Sequence, residues 1–219
     1  RKAFTYFNAA KIIYEEIVEN NKSGVDFSKI NRKTKQIIEE IFSKEVEYKK
    51  EETLSERHMF SNANTPEGYV DYTKTILEWI PTIYYIEGEI GTSKSTLIKR
   101  LIEESKIRGY NMEIYHNSTI PEKIETLIIK DITTCITSNK HGLDFSHCKI
   151  NLNEYFNEKI KDNKDYETYD LLIRKGIFNL AVARNNHEIL EKCYKLAVDY
   201  QGVNKVKEEI LKEILTYIE

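Results

Sequence analysis

The amino-acid sequence predicts an α/β protein: a parallel sheet with flanking helices, and an α-helical arm at each end. Two observations predict the core and a third predicts the arms. Short β-branched and aromatic runs alternate with an amphipathic helix between residues 82 and 136, the pattern of strands joined by crossover helices. A glycine-containing stretch stands between the first of those strands and its helix. The two ends of the chain align with each other without a gap when shifted by 173 positions (174 − 1).

In chain order, Phe4, Phe7, Ala10, Ile13, Tyr14, Ile17 and Val18 recur at helical spacing. Residues 1–50 read as two helices broken at Asn20-Asn21-Lys22-Ser23-Gly24. The pattern is already running at Arg1, as in a segment of a longer protein. Residues 51–68 are polar and end in Asn64-Thr65-Pro66-Glu67-Gly68. There Thr65 as cap and Pro66 as first helical residue predict a helix continued by Tyr69, Tyr72, Ile76, Leu77 and Ile80, with Trp79 in the core and Pro81 as its end. Thr82–Ile86 reads as a buried strand. Ser95–Arg108 carries Leu97, Ile98, Leu101 and Ile102 on one helical face and is closed by Gly109. Met112, Ile114 and Tyr115 read as a strand, Pro121–Thr126 as a short helix, and Leu127–Ile129 and Cys135-Ile136 as further strands. From Leu152 the pattern is helical again.

The terminal alignment places Arg1-Lys2 on Arg174-Lys175, Ala10 on Ala183, Lys22 on Lys195, Val25-Asp26 on Val198-Asp199, Ile37 on Ile210 and Glu40-Ile41 on Glu213-Ile214. An ungapped register over about forty residues is the mark of an internal duplication. The expected organisation is a helical arm of a preceding repeat (1–52), an α/β domain (53–151), and a second arm (152–219) that repeats 1–46.

Composition narrows the function. The chain has 219 residues, 40% hydrophobic and 32% charged, with 33 basic against 36 acidic residues and a formal net charge of −3. No global field favours nucleic acid or an anionic membrane, and no apolar run is long enough to span a bilayer. Cys135, Cys148 and Cys193 share no metal-ligand spacing; an odd number suits a reducing cytoplasm, with packing as their role. His141, Asp144, His147 and Cys148 follow no closed zinc pattern and read as a polar loop.

The stretch Gly88-Glu89-Ile90-Gly91-Thr92-Ser93-Lys94-Ser95-Thr96 carries the chemistry. A phosphate-binding loop is Gly, four residues, Gly, Lys and Ser or Thr between a strand and a helix. Its amides and the helix N-terminus hold the β-phosphate, the lysine reaches the β and γ phosphates, and the hydroxyl ligates magnesium. Gly88, Lys94 and Ser95 fit, with Ser95 as the magnesium ligand; Ser93 stands where the second fixed glycine belongs. A left-handed backbone there costs serine on the order of 1 kcal/mol. The cofactors expected are ATP or GTP and Mg2+.

Arg57-His58-Met59-Phe60, Ala63–Gly68, the loop Gly88–Thr96 and Tyr115-His116 resemble an uncharacterised family of bacterial P-loop ATPase or nucleotide-kinase-like proteins. That family resembles a tandem duplication of P-loop halves separated by a helical arm. The resemblance implies a P-loop NTPase core, a place for this chain in the C-terminal half, and an N-terminal P-loop half as partner. The family loop carries Gly88, Gly91, Thr92, Lys94, Ser95 and Thr96 over to this chain and departs at Ser93. It also has a strand ending in an acid before a histidine, similar to Cys135-Ile136-Thr137-Ser138 leading to His141, where Thr137 or Ser138 replaces the acid. His58 and His116 match family positions and are candidates for contact with phosphate or a second substrate, with a structural role as the alternative.

Hydrolysis needs that strand-end acid to orient magnesium and water. Glu87, Glu89, Glu125 and Asp131 are the substitutes at hand. The sequence predicts ATP binding, with three outcomes open: hydrolysis, a degenerate half serving as scaffold, or a small-molecule kinase using Arg57, Arg100 or Arg108. Nucleotide is the expected ligand, a homo-oligomer is left open, and no membrane or nucleic-acid partner is indicated.

Overall fold

The computed structural model describes residues 1–43 and 54–217, so the expected boundary at 52–53 lies outside the described residues. Among the described residues, eight strands and seven α-helices follow in order: α1 (Lys2–Lys22), α2 (Phe27–Ile41), β1 (Glu56–Phe60), β2 (Asn62–Thr65), β3 (Gly68–Asp71), α3 (Thr73–Leu77), β4 (Thr82–Glu87), α4 (Lys94–Ile107), β5 (Met112–His116), β6 (Ile124–Ile129), β7 (Thr134–Thr137), α5 (Gly142–Phe145), β8 (Cys148–Asn151), α6 (Asn163–Lys195) and α7 (Tyr200–Leu215). Six strands form one sheet in the order β1-β5-β6-β7-β4-β8, and β2 and β3 form a separate hairpin.

The sheet is mostly parallel. β6 alone runs against the rest, antiparallel to both β5 and β7, while β1–β5, β4–β7 and β4–β8 are parallel. This corrects the short helix expected at Pro121–Thr126. Antiparallel neighbours can be joined by a short connection, whereas parallel ones need a crossover; residues 117–123 therefore suffice without a helix. Thr82–Ile86, the α4 face and the strands at 112–115 and 134–137 lie where the periodicity puts them.

Period-2 alternation sends neighbouring side chains to opposite faces, and both faces are covered. Ile86, Met112, Ile114, Leu127, Ile129 and Ile136 form one buried cluster with Leu97, Ile98, Leu101 and Ile102 of α4. On the other side Ile83, Tyr115, Ile128 and Cys135 join Leu77 of α3. Of the three cysteines only Cys135 has the packing role expected of all; Cys148 is half-buried and Cys193 exposed.

The helix expected from Thr65 to Ile80 is instead a hairpin followed by five residues of helix. Thr65-Pro66-Glu67-Gly68 is a turn: Thr65 pairs with Gly68, and its hydroxyl donates to the Gly68 carbonyl at 2.8 Å. Proline at the second turn position and glycine at the fourth fit this as well as they fit a helix start. Trp79 is 85% exposed, not core.

The amino-terminal arm belongs to this core. Ile37, Ile41 and Phe42 are buried in the α4 cluster, Phe42 stacks on Tyr110 with centroids 6.1 Å apart, and the Arg108 guanidinium sits 4.6 Å from the Phe42 ring centroid. α1 lies antiparallel along the first half of α6: Phe7 meets Gly176, the Tyr14 and Tyr169 rings are 5.8 Å apart, and Asn21 reaches Tyr166. The helix break expected near Asn20–Gly24 is found there, with α1 continuing through Lys22 and the turn at Ser23-Gly24.

Leu101→Ala removes a fully buried side chain from between α4 and the sheet; a loss of about 2–5 kcal/mol in denaturant unfolding is expected. Trp79, as the single tryptophan, is expected to emit as a water-exposed indole in the native state and to shift little on unfolding, which steady-state fluorescence checks.

Candidate functional site

Strand β4 is flanked by parallel strands on both sides, and the loop 88–93 leaves its carboxyl end to start α4. That edge of an α/β sheet is where ligands bind. The loop is held by its own contacts. Thr92 is buried and its hydroxyl donates to the Glu89 carbonyl at 2.8 Å; a Cβ at position 88 would lie 2.3 Å from that hydroxyl oxygen, so only glycine fits there. Gly91 has φ +86°, and a Cβ on it would press at 3.1 Å on the Asn21 side chain and the Val18 carbonyl.

Ser93 caps α4 with φ 70° and ψ 18°, in the left-handed region. The loop thus demands there the conformation that glycine adopts without cost. The first amides of α4 have no intrahelical acceptor, and the residues that carry them, Lys94, Ser95 and Thr96, line the cavity described next.

Lys94, first residue of α4, folds its ammonium back to donate to the Gly88 carbonyl and to the Glu89 carbonyl at 2.7 Å. Burial lowers its pKa to about 8, against opposing pulls from Glu89 and Glu125 and with repulsion from Lys123. The Ser95 oxygen accepts the Ile124 amide at 3.1 Å, tying the helix start to β6.

A cavity of about 540 Å3 opens over the loop, lined by Gly91, Ser93, Lys94, Ser95 and Thr96, by Lys22 of α1 and by Lys123 and Glu125 near β6. Arg100 lines it as well. Lys123 is lowered by burial and then by the charges of Lys99 and Lys22, so the lining is crowded with cations against one carboxylate and favours an anion. Tyr14, Val18, Phe27, Ile30 and Ile120 supply an apolar wall, mostly from the amino-terminal arm. Burial, with the Glu125 charge, pushes the Tyr14 phenol up to about 12.

Of the substitute acids, Glu125 alone lines the cavity. Asn62 and Asn117 donate to its two oxygens at 2.8 and 2.6 Å. Glu87 pairs with Lys149 at 2.9 Å, Glu89 with Lys161 at 2.9 Å, and Asp131 accepts the Asn111 amide at 2.6 Å. Thr137 and Ser138 end β7 beside β4 as expected. The Thr137 hydroxyl bonds that of Thr126 at 2.7 Å, and the Ser138 amide donates to the Glu125 carbonyl at 2.8 Å.

His58 and His116 do not line the cavity. They face each other on β1 and β5, with His58 Nδ1 2.8 Å from His116 Nε2 and His58 Nε2 2.9 Å from Glu56. His147 Nδ1 accepts the Ile83 amide at 3.2 Å. Among the described residues no group of three or more His, Cys, Asp or Glu could hold a metal ion, and no helix is long and apolar enough to cross a membrane.

The sequence reading missed the contacts that tie the arms to the loop. Asn21 of α1, fully buried, donates to the Ile90 carbonyl and to the Tyr166 hydroxyl, each at 2.8 Å. Asn153 accepts the Glu89 amide at 2.8 Å, and the Lys161 ammonium that pairs with Glu89 lies 4.5 Å from the Tyr166 ring centroid. These partners are 64 to 145 residues apart in sequence, and no local spacing announces them.

Comparison with family models, with curated proteins and with solved structures matches none of them to this chain.

Ser93→Gly is expected to raise stability by about 1 kcal/mol by relieving the left-handed serine, read as a higher denaturation midpoint. Lys94→Met is also expected to stabilise the unliganded protein at pH 7, by on the order of 2 kcal/mol. A folded-state lysine below its ordinary 10.5 penalises charge. The penalty is full below pH 8 and fades towards pH 10.5, so the gap between variant and parent should close over that window in denaturant titrations.

Proposed function

We propose that the chain is a P-loop NTPase unit that binds a nucleoside triphosphate, ATP or GTP, with magnesium through Gly88–Thr96. The observation that carries the reading is Lys94: a desolvated ammonium, parked on two loop carbonyls, at the mouth of a cationic cavity between a parallel strand and a helix. About 540 Å3 is within the range of small-molecule sites. In this reading the first amides of α4 and its positive end receive the β-phosphate, and Lys94 turns from the Gly88 and Glu89 carbonyls to the β and γ oxygens. The Ser95 oxygen accepts one amide and keeps a lone pair for magnesium. When bound, the metal would neutralise phosphate charge. Tyr14, Val18, Phe27, Ile30 and Ile120 offer an apolar wall for base and ribose.

Binding with slow or no hydrolysis is the reading favoured for this unit, because the strand end beside β4 carries Thr137 and Ser138 and both are engaged in hydrogen bonds within the sheet. Glu125 is the carboxylate placed to align a water from the cavity side, and any turnover is assigned to it. A kinase lid has less support: Arg57 pairs with Glu113 at 3.6 Å and Arg108 with Glu104, leaving Arg100 at the cavity. The asparagine and tyrosine contacts from α1 and α6 to the loop make the arms the elements that respond to nucleotide.

Isothermal titration with ATP and magnesium tests the proposal. Micromolar binding that weakens at least about tenfold in Lys94→Ala is expected, a loss of ~1.4 kcal/mol or more. The phosphate needs Lys94 charged, and its free-state pKa is about 8. Affinity is therefore expected to hold below that pH and to fall by up to about tenfold per unit above it. Equal binding by parent and Lys94→Ala, or none in either the parent or Ser93→Gly, would sink the idea. Glu125→Gln should abolish residual phosphate release while leaving the binding isotherm within about twofold.

A further inference from the structure

The two arms share a sequence register but not an environment. Helix α2 begins after Asp26, whose carboxylate caps the Lys29 amide at 3.0 Å. Helix α7 begins after Asp199, 173 positions on, whose carboxylate caps the Gln201 and Gly202 amides at 3.1 and 3.0 Å. The helices then run 15 and 16 residues. Helix α2, however, buries Ile30, and buries Ile37 and Ile41 in the core cluster of the α/β unit, followed by Phe42. Their counterparts in register, Val203, Ile210, Ile214 and Leu215, are 57%, 52%, 51% and 52% exposed. On the preceding helix, Ile17 is 1% exposed and its counterpart Leu190 is 52%.

Helix α7 buries no residue at all. A helix of that length is marginal in water without a packed face, and an apolar face of this extent marks an interaction surface. The duplication states what covers it, because the same face on α2 is covered by an α/β unit, while α1 packs on α6. We infer that the carboxyl-terminal half of α6 together with α7 is the seat for a second α/β unit of the build of residues 56–160, docked as this unit docks on α1 and α2. The long α6 then serves two units. Its amino-terminal part packs on the α1 of its own unit, and residues 175–195, in register with α1, serve as the α1 of the next. Val198, half-exposed at 43%, takes the place of Val25, which bridges to Phe156 as a strand-like pair.

The inference is independent of nucleotide binding. Its test is the full chain with residues 43–162 repeated after Leu215, so that the second arm leads into a second α/β unit at the offset of the first. Hydrogen exchange of α7 amides is compared with that of the chain as it exists. At least about tenfold slower exchange is expected, reversed by Ile210→Asp with Ile214→Asp. Those two side chains are exposed in the single unit, so the pair should leave the melting of the unextended chain unchanged. A folded second unit with unprotected α7 would overturn the inference. Should the added unit fail to fold, residues 1–42 of the natural chain are replaced by 174–215, of equal length. Cooperative unfolding of that chain, lost with the same two aspartates, supports the seat; a chain that unfolds no more cooperatively than Ile37→Asp overturns it.

Discussion

The constraint on which the rest depends is the desolvated ammonium of Lys94. A lysine at the first position of a helix ordinarily extends into water; here it folds back on two loop carbonyls. That arrangement requires a turn tight enough to present both carbonyls, which brings glycine to 88 and 91 and a left-handed backbone to 93. It also requires a cover. Asn21 from α1 holds the Ile90 carbonyl, and the Glu89 side chain is held by Lys161 before α6. A buried charge with hydrogen bonds on one side only is costly, and the cost is tolerable where an anion completes its shell.

The arms are consequently part of the site. The apolar wall of the cavity comes mainly from α1 and α2, the cations from α4, Lys123 and Lys22 of α1. Whatever fills the cavity touches two layers that share few covalent constraints.

Much of this was legible in sequence because burial writes period into a chain. Strand β4, helix α4 and strands β5 and β7 are buried on faces that alternate or repeat as their geometry demands. Apart from the start of β6, the misreadings fall where burial is partial. Strand β1 is an edge with mostly exposed side chains, and the β2–β3 hairpin is polar, so neither carries a period. Tyr69, Tyr72, Ile76, Leu77 and Ile80 have helical spacing, yet Tyr69 and Tyr72 stay 47% and 63% exposed, and the turn chemistry of Thr65–Gly68 decides the local structure. The position of Lys94 and Ser95 at the start of α4 was readable because a motif fixes their spacing between strand and helix. Glu125 was not singled out, since its place at the cavity comes from the reversed strand β6 and from amide donors at Asn62, distant in the chain, and Asn117.

The repeat shows the same limit from the other side. One apolar pattern yields a buried helix at α2 and an exposed one at α7, with like caps and like lengths. Propensity and capping therefore account for the helices but not for their burial. What differs is the packing: α2 lies on the α4 cluster, and α7 buries no residue. An amphipathic helix records in its sequence the surface it was selected to meet. The conservation of that record between the two arms, within one molecule, makes the exposed copy informative about a surface that the single unit does not itself provide.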